Sequence, residues 1–214
     1  MGRRVKNGED SVMDICVVNE TDSKISNTRN NGVETQSKFF ECDDKTLYVA
    51  HKSGTISIWD LGTRCFLGEF DTLSSIASIT VSKNKIITGS SDSGLIKCFD
   101  RLTHKLEWQT QLFNCVDQPL LEGGMHETHG GEITKLKYTE LNRHRSKDKV
   151  EVVIALSSDS NCIFSLNVKN GELHELFAGF SDGRPLDFDF EEQNLQAKDC
   201  DVYVCGKAGL LLQY

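Results

Sequence analysis

Proline and long apolar runs are the scarcest features of this chain. Only two prolines stand among the 214 residues, and with a hydrophobic fraction of 38% and a charged fraction of 26% this excludes a collagen-like or disorder-dominated chain. No apolar stretch approaches the roughly 20 residues that a membrane helix needs. Met1-Gly2-Arg3-Arg4-Val5-Lys6 leads into no apolar run of the signal-peptide kind, and Lys6 stands where a myristoylation signal wants Ser or Thr. No membrane partner is expected. The sequence also lacks G-x-x-x-x-G-K-[ST], a helix-opening G-x-G-x-x-G and a G-x-S-x-G elbow, so phosphate cradles, dinucleotide pockets and hydrolase elbows are not signalled.

Cysteine is plentiful, with eight residues, yet no Cys-x-x-Cys pair of the structural-zinc kind occurs. The cysteines are scattered through apolar runs, where a free thiol acts as a small buried hydrophobe in a reducing compartment. Cytoplasm, nucleus or both are the expected locations, with no cofactor and no metal. The formal charge of −8 argues against a broad nucleic-acid surface and favours protein partners. The length suits one domain, at about 150 residues per domain, with or without an extension.

What is present is a repeat. Leu47-Tyr48-Val49-Ala50 passes through His51-Lys52-Ser53-Gly54 into Thr55-Ile56-Ser57-Ile58-Trp59-Asp60: an apolar strand, a tight turn and an alternating strand. Ile86-Ile87-Thr88-Gly89, Ser90-Ser91-Asp92-Ser93-Gly94 and Leu95-Ile96-Lys97-Cys98-Phe99-Asp100 repeat the pattern. A third copy runs from Val152 to Asn167 through Ser157-Ser158-Asp159-Ser160-Asn161, and a fourth from Asp201 through Gly206-Lys207-Ala208-Gly209 to Tyr214. Gly94 and Asn161 share one turn position, and these residue types take positive φ most easily.

Further strands are expected around each unit. Arg64 to Phe70, His104 to Thr110 and Glu172 to Phe177 read as outer strands; Ser37 to Cys42, Ser75 to Val81, Glu132 to Tyr138 and Pro185 to Phe190 read as inner ones. The long interval between Phe99 and Leu166 calls for an insertion near 114–149, made of Asn114 to Gly131 and Leu141 to Lys149. Residues 1–36 are expected as an extension, with a polar mobile loop over 19–36 and one strand over 11–18 that completes another blade from its outer side.

Gly54-Thr55-Ile56-Ser57-Ile58-Trp59-Asp60, Ser91-Asp92-Ser93-Gly94-Leu95-Ile96-Lys97-Cys98-Phe99-Asp100 and the His129-Gly130 pair give residues 37–214 a resemblance to the WD40-repeat family. Its period is about 40 to 45 residues, one four-stranded blade each. The resemblance implies an all-β propeller of about three to four four-stranded blades with an incomplete ring, since closed rings hold about 4 to 8. A truncated gene product is the favoured explanation, and completion by a partner's blade the other. Only one unit keeps Trp-Asp; of the polar network that locks blades in the family, Asp92 with Thr88 or Ser90, and Asp159 with Ser157, could supply fragments.

The resemblance further implies a non-catalytic scaffold or adaptor that holds protein partners in a multi-subunit complex, in RNA processing or export, trafficking or ubiquitin-ligase settings. Partners in the family meet the turns between second and third strands, which carries over to His51, Lys52, Ser91, Asp92 and Asp159. Arg143 and Arg145, in the basic run Arg143 to Lys149, offer a local docking or nucleic-acid patch, with an exposed insertion loop the favoured reading. His126-Glu127-Thr128-His129 lies among glycines and reads as a loop, without a third metal ligand. A propeller enzyme, resting on Glu132, Asp187 and Asp189 at the inner strands, is the rival class.

Overall fold

The computed structural model describes residues 10–19, 45–112, 131–142, 149–157, 162–178, 185–190, 202–206 and 211–213. These residues form antiparallel sheets, three of four strands and one of three, each a simple meander in chain order. The first holds β1 (Val12–Asn19), β2 (Lys45–His51), β3 (Thr55–Asp60) and β4 (Cys65–Asp71). The second holds β5 (Ile76–Val81), β6 (Lys85–Ser90), β7 (Leu95–Asp100) and β8 (Leu106–Gln111). β9 (Ile133–Asn142), β10 (Lys149–Ser157), β11 (Cys162–Asn167) and β12 (Leu173–Ala178) make the third; β13 (Pro185–Phe190), β14 (Val202–Gly206) and β15 (Leu211–Gln213) make the fourth.

Because strand side chains alternate between faces, each sheet presents two surfaces, and neighbouring sheets bury them against one another. Tyr48, Ala50, Ile56 and Ile58 of the first sheet meet Ile79, Val81, Ile86 and Phe99 of the second. Ile87, Ile96 and Cys98, on the second sheet's other face, meet Leu136, Val153, Ala155, Phe164 and Leu166 of the third. Ile154, Leu156 and Ile163 then meet Phe188 and Val204 of the fourth. The first strands β1, β5 and β9 lie on one common side, with β5 packed against both β1 and β9, while β13 packs on β10 and is tied to β9 by ion pairs.

The turn from third to fourth strand explains the acidic residue of the Trp-Asp repeat. Asp60 Oδ1 accepts from Thr63 N at 3.0 Å, Asp100 Oδ1 from Thr103 N at 2.7 Å, and Asn167 Oδ1 from Lys169 N at 2.9 Å. A short side-chain acceptor closes each turn on itself. The left-handed residue that follows occupies the same place each time, as Arg64, His104 and Gly171. At Gly171 side-chain space is lacking as well, because a Cβ would lie 2.5 Å from the Trp108 ring.

Two expectations are corrected. The strand expected over 11–18 is present as β1, but it does not complete another blade from outside. It pairs with β2, Cys16 opposite Tyr48 and Val18 opposite Thr46, and is the inner strand of the first sheet. Cys16 and Val18 pack onto the buried cluster between the first two sheets, which holds β1 there. Ser37 to Cys42, expected in that position, lie outside the described residues. Second, Leu141, Asn142 and Lys149, expected in a polar insertion, extend the β9–β10 pair. The cysteine reading is mixed: Cys98 and Cys162 are buried free thiols, whereas Cys65 and Cys205 are exposed.

Candidate partner-binding rim and the ties between sheets

Of the residues singled out, the structure brings His51, Lys52, Ser91 and Asp92 to equivalent places, the hairpins between second and third strands of the first two sheets. Asp159, Arg143 and Arg145 lie outside the described residues, as do His126 and His129. Gly54 and Gly94 close the two hairpins at φ of 99° and 66°. Gly54 is irreplaceable on space too, since a Cβ there would lie 2.4 Å from Ser74 O.

Both hairpins are anchored to the chain behind them. Thr72 N and Thr72 Oγ1 each donate to Gly54 O at 2.9 Å, and Leu112 N donates to Gly94 O at 3.2 Å. Lys97, buried in β7, donates from Nζ to Thr72 O at 2.7 Å, so the second sheet holds the linker that braces the first hairpin. Lys52 N donates to Ser11 O and Ser53 N to Asp10 Oδ1, tying this turn to the residues before β1. Sequence reasoning missed Thr72 and Lys97; a lysine at the centre of an apolar strand was the available signal.

Side chains at the rim divide by role. Lys52 and Asp92 are exposed, opposite charges at register-equivalent positions of neighbouring sheets. His51 is half-buried, its Nε2 sharing a 3.0 Å hydrogen bond with Ser57 Oγ, while its Nδ1 is buried without a partner. Ser90 is the hub of the second hairpin. Its hydroxyl donates to Asp92 Oδ1 at 2.8 Å and accepts from Ser93 N at 3.0 Å, and this contact above all holds the Asp92 carboxyl below the usual aspartate value. The fragment expected between Asp92 and Ser90 is therefore present, as a turn device.

On the side of the first strands, polar groups tie one sheet to the next. Asp14 Oδ2 accepts from Ile79 N at 2.9 Å. Ser78 Oγ donates to Ile133 O at 2.6 Å, and Thr80 Oγ1 accepts from Tyr138 N at 3.2 Å. Lys135 and Lys137 pair with Asp187 and Asp189. Of the three carboxylates on which an enzyme reading rested, Asp187 and Asp189 are thus each matched by an ammonium of the neighbouring sheet. Among the described residues no group of three or more His, Cys, Asp or Glu is arranged to hold a metal ion.

Sheets stacked side by side with their first strands gathered on one side match solved structures. BBS1N, solved in complex with ARL6DN, superposes with a TM-score of 0.57 at 13% identity over 92% of this chain. Sqt1 of Saccharomyces cerevisiae gives 0.55 at 15% identity over 79%. The fold is a β-propeller with an incomplete ring. This chain spans 48% and 40% of the lengths of those two propellers. No family model matches the sequence, and no curated protein matches it either. The four sheets are blades, and β1, β5, β9 and β13 are their inner strands.

Proposed function

We propose that this propeller is a non-catalytic scaffold that binds other proteins through the hairpin rim carrying His51, Lys52, Ser91 and Asp92. The observation that carries this reading is the contrast between the two sets of charged groups. At the inner strands Asp187 and Asp189 are engaged by Lys135 and Lys137, an arrangement that serves blade cohesion. At the rim, exposed Lys52 and Asp92 sit on turns held by glycine geometry and hydrogen bonds, so little ordering entropy opposes binding. The neighbour solved with ARL6DN is a propeller holding a protein, which supports the class of partner. Free thiols at Cys16, Cys65, Cys98, Cys162 and Cys205 support a reducing setting, the cytoplasm or nucleus.

The test compares proteins recovered on the wild-type chain with those recovered on a Lys52→Glu/Asp92→Lys variant that melts at the wild-type temperature. Selective loss of particular proteins from the variant is expected. An identical recovered set would refute rim binding. Hydrolase turnover abolished by Asp187→Asn and Asp189→Asn would establish the enzyme reading instead.

A further inference from the structure

At the strand ends opposite the rim, the turns from third to fourth strand can be compared residue by residue. The Asp60 and Asp100 carboxylates both accept from the amide three residues on, which makes Gly62 and Leu102 equivalent. Leu102 N and Lys169 N each donate to the Asp or Asn two residues before, at 3.2 Å and 2.9 Å, which makes those two equivalent as well. The turn thus accepts glycine, leucine or lysine at its tip, and its geometry gives no reason for an apolar side chain there. Leu102 is 91% exposed, so burial in its own blade gives none either.

The leucine stands on a locked and positively charged base. Arg101 N donates to Asn84 O at 2.9 Å and Arg101 Nη1 to Lys83 O at 3.1 Å, which staples the Leu102 turn to the turn between β5 and β6. Arg101 Nε donates to Tyr48 Oη at 2.7 Å, tying both turns to the first blade. Within the stapled pair the cations Lys83, Lys85, Arg101 and Lys105 outnumber the anions, in a chain whose formal charge is −8. The anions are also engaged. Asp100 accepts from Thr103 N and Thr103 Oγ1 at 2.7 Å each, and Glu107 of β8 pairs with Lys85. Lys83 and Lys105 flank the leucine in the two turns and are exposed.

We infer that these two turns of the second blade form a second docking surface, distinct from the rim, for an acidic segment of a partner protein. An apolar side chain of that segment packs on Leu102, and carboxylates on either side of it meet Lys83 and Lys105. Charge complementarity selects the acidic partner, and the stapled turns keep the ordering cost of binding low. Two other anionic partners fit less well. Single-stranded nucleic acid is held by base stacking on exposed rings, whereas the one ring in these turns, His104, is itself stacked on Phe70 at 4.5 Å. An anionic bilayer would meet the neighbouring tips too, and those are Gly62 and Lys169, so the apolar contact is one blade wide. That width suits a peptide segment.

The probe is a displayed library of random peptides, selected on the 214-residue chain and then titrated singly by fluorescence. Among the selected peptides, a set rich in Asp and Glu around a large apolar residue is expected. Leu102→Gly should weaken its binding ~10-fold, and Lys83→Glu/Lys105→Glu ~10-fold or more, with the wild-type affinity falling as salt is raised. All three side chains are exposed, so both variants are expected to melt as the wild type does. Lys52→Glu/Asp92→Lys should leave this binding unchanged, which keeps failure here separate from failure of rim binding. The inference is overturned if no selected peptide depends on Leu102 and the two lysines, or if those that do carry no acidic excess. Oligouridine or phosphatidylserine vesicles that bind through these residues where peptides do not would overturn it as well.

Discussion

Gly89 on β6 is where the contact between the second and third blades has least room. A Cβ at this residue would lie 2.5 Å from Ile133 Cγ2, 2.7 Å from Ile133 Cβ and 2.7 Å from Ser78 Oγ, all under van der Waals contact. Ile133 is fully buried at the start of the neighbouring blade's inner strand, and its carbonyl receives the Ser78 hydroxyl at 2.6 Å. A Gly89→Ala methyl therefore pushes on an immobile side chain and on the hydrogen bond between the blades. Overpacking of this kind costs about 1–3 kcal/mol, and losing the bond adds about 1 kcal/mol. The expected total is about 2–4 kcal/mol. With a urea slope of ~2–3 kcal/mol per molar for a chain of this size, the unfolding midpoint should drop by ~1 M. Gly68 on β4 is the control, since a Cβ there meets nothing within 4 Å. Gly68→Ala should stabilise by about 0.4–1 kcal/mol, as alanine restricts the unfolded chain. Equal midpoints for the two variants would refute the reasoning.

Other contacts yield further expectations. Lys97→Met keeps the aliphatic packing but strips Thr72 O of its buried donor; the melting temperature should fall by ~2–8 °C in a thermal scan, from about 1–2 kcal/mol at 2–4 °C each. The Asp92 carboxyl, followed by NMR, should titrate below the ordinary aspartate value and move up towards it in Ser90→Ala. Because its folded value is depressed, its contribution to stability is present above the unfolded value and lost as pH falls through the folded one. Thiol labelling of the folded chain at pH 8 should modify Cys65 and Cys205 and spare Cys98, whose thiol burial pushes up to about 12. Labelling of Cys98 at the rate of Cys65 would contradict that packing.

The repeat was legible because it is local. Pro185 to Phe190 stands as read, and Ser75 to Val81 became Ile76–Val81, since apolar alternation and turn residues lie within one short window. The place of β1 was not legible. Its pairing with β2 spans the segment 20–44, and its apolar residues occur on both faces, so no alternation told which face was buried. At the candidate site, equal spacing from the turn glycines identified His51, Lys52, Ser91 and Asp92. The Lys97 brace and the partners of Asp187 and Asp189 come from other blades, 25 and 52 residues away, and no local pattern records them. Read alone, Asp187 and Asp189 form a carboxylate cluster; beside Lys135 and Lys137 they join two blades.

A propeller requires inner strands that lie side by side around one axis, and single-amide hydrogen exchange reads that placement at one bond. Ile79 N–H lies on an edge strand and donates across blades to Asp14 Oδ2. This amide is expected to be protected in the wild-type chain and to exchange faster in Asp14→Ala, with the amides between β6 and β7 unchanged. Rapid exchange of Ile79 in the folded wild type, or protection that Asp14→Ala leaves intact, would mean that β1 does not stand beside β5 and that the blades are not arranged as described.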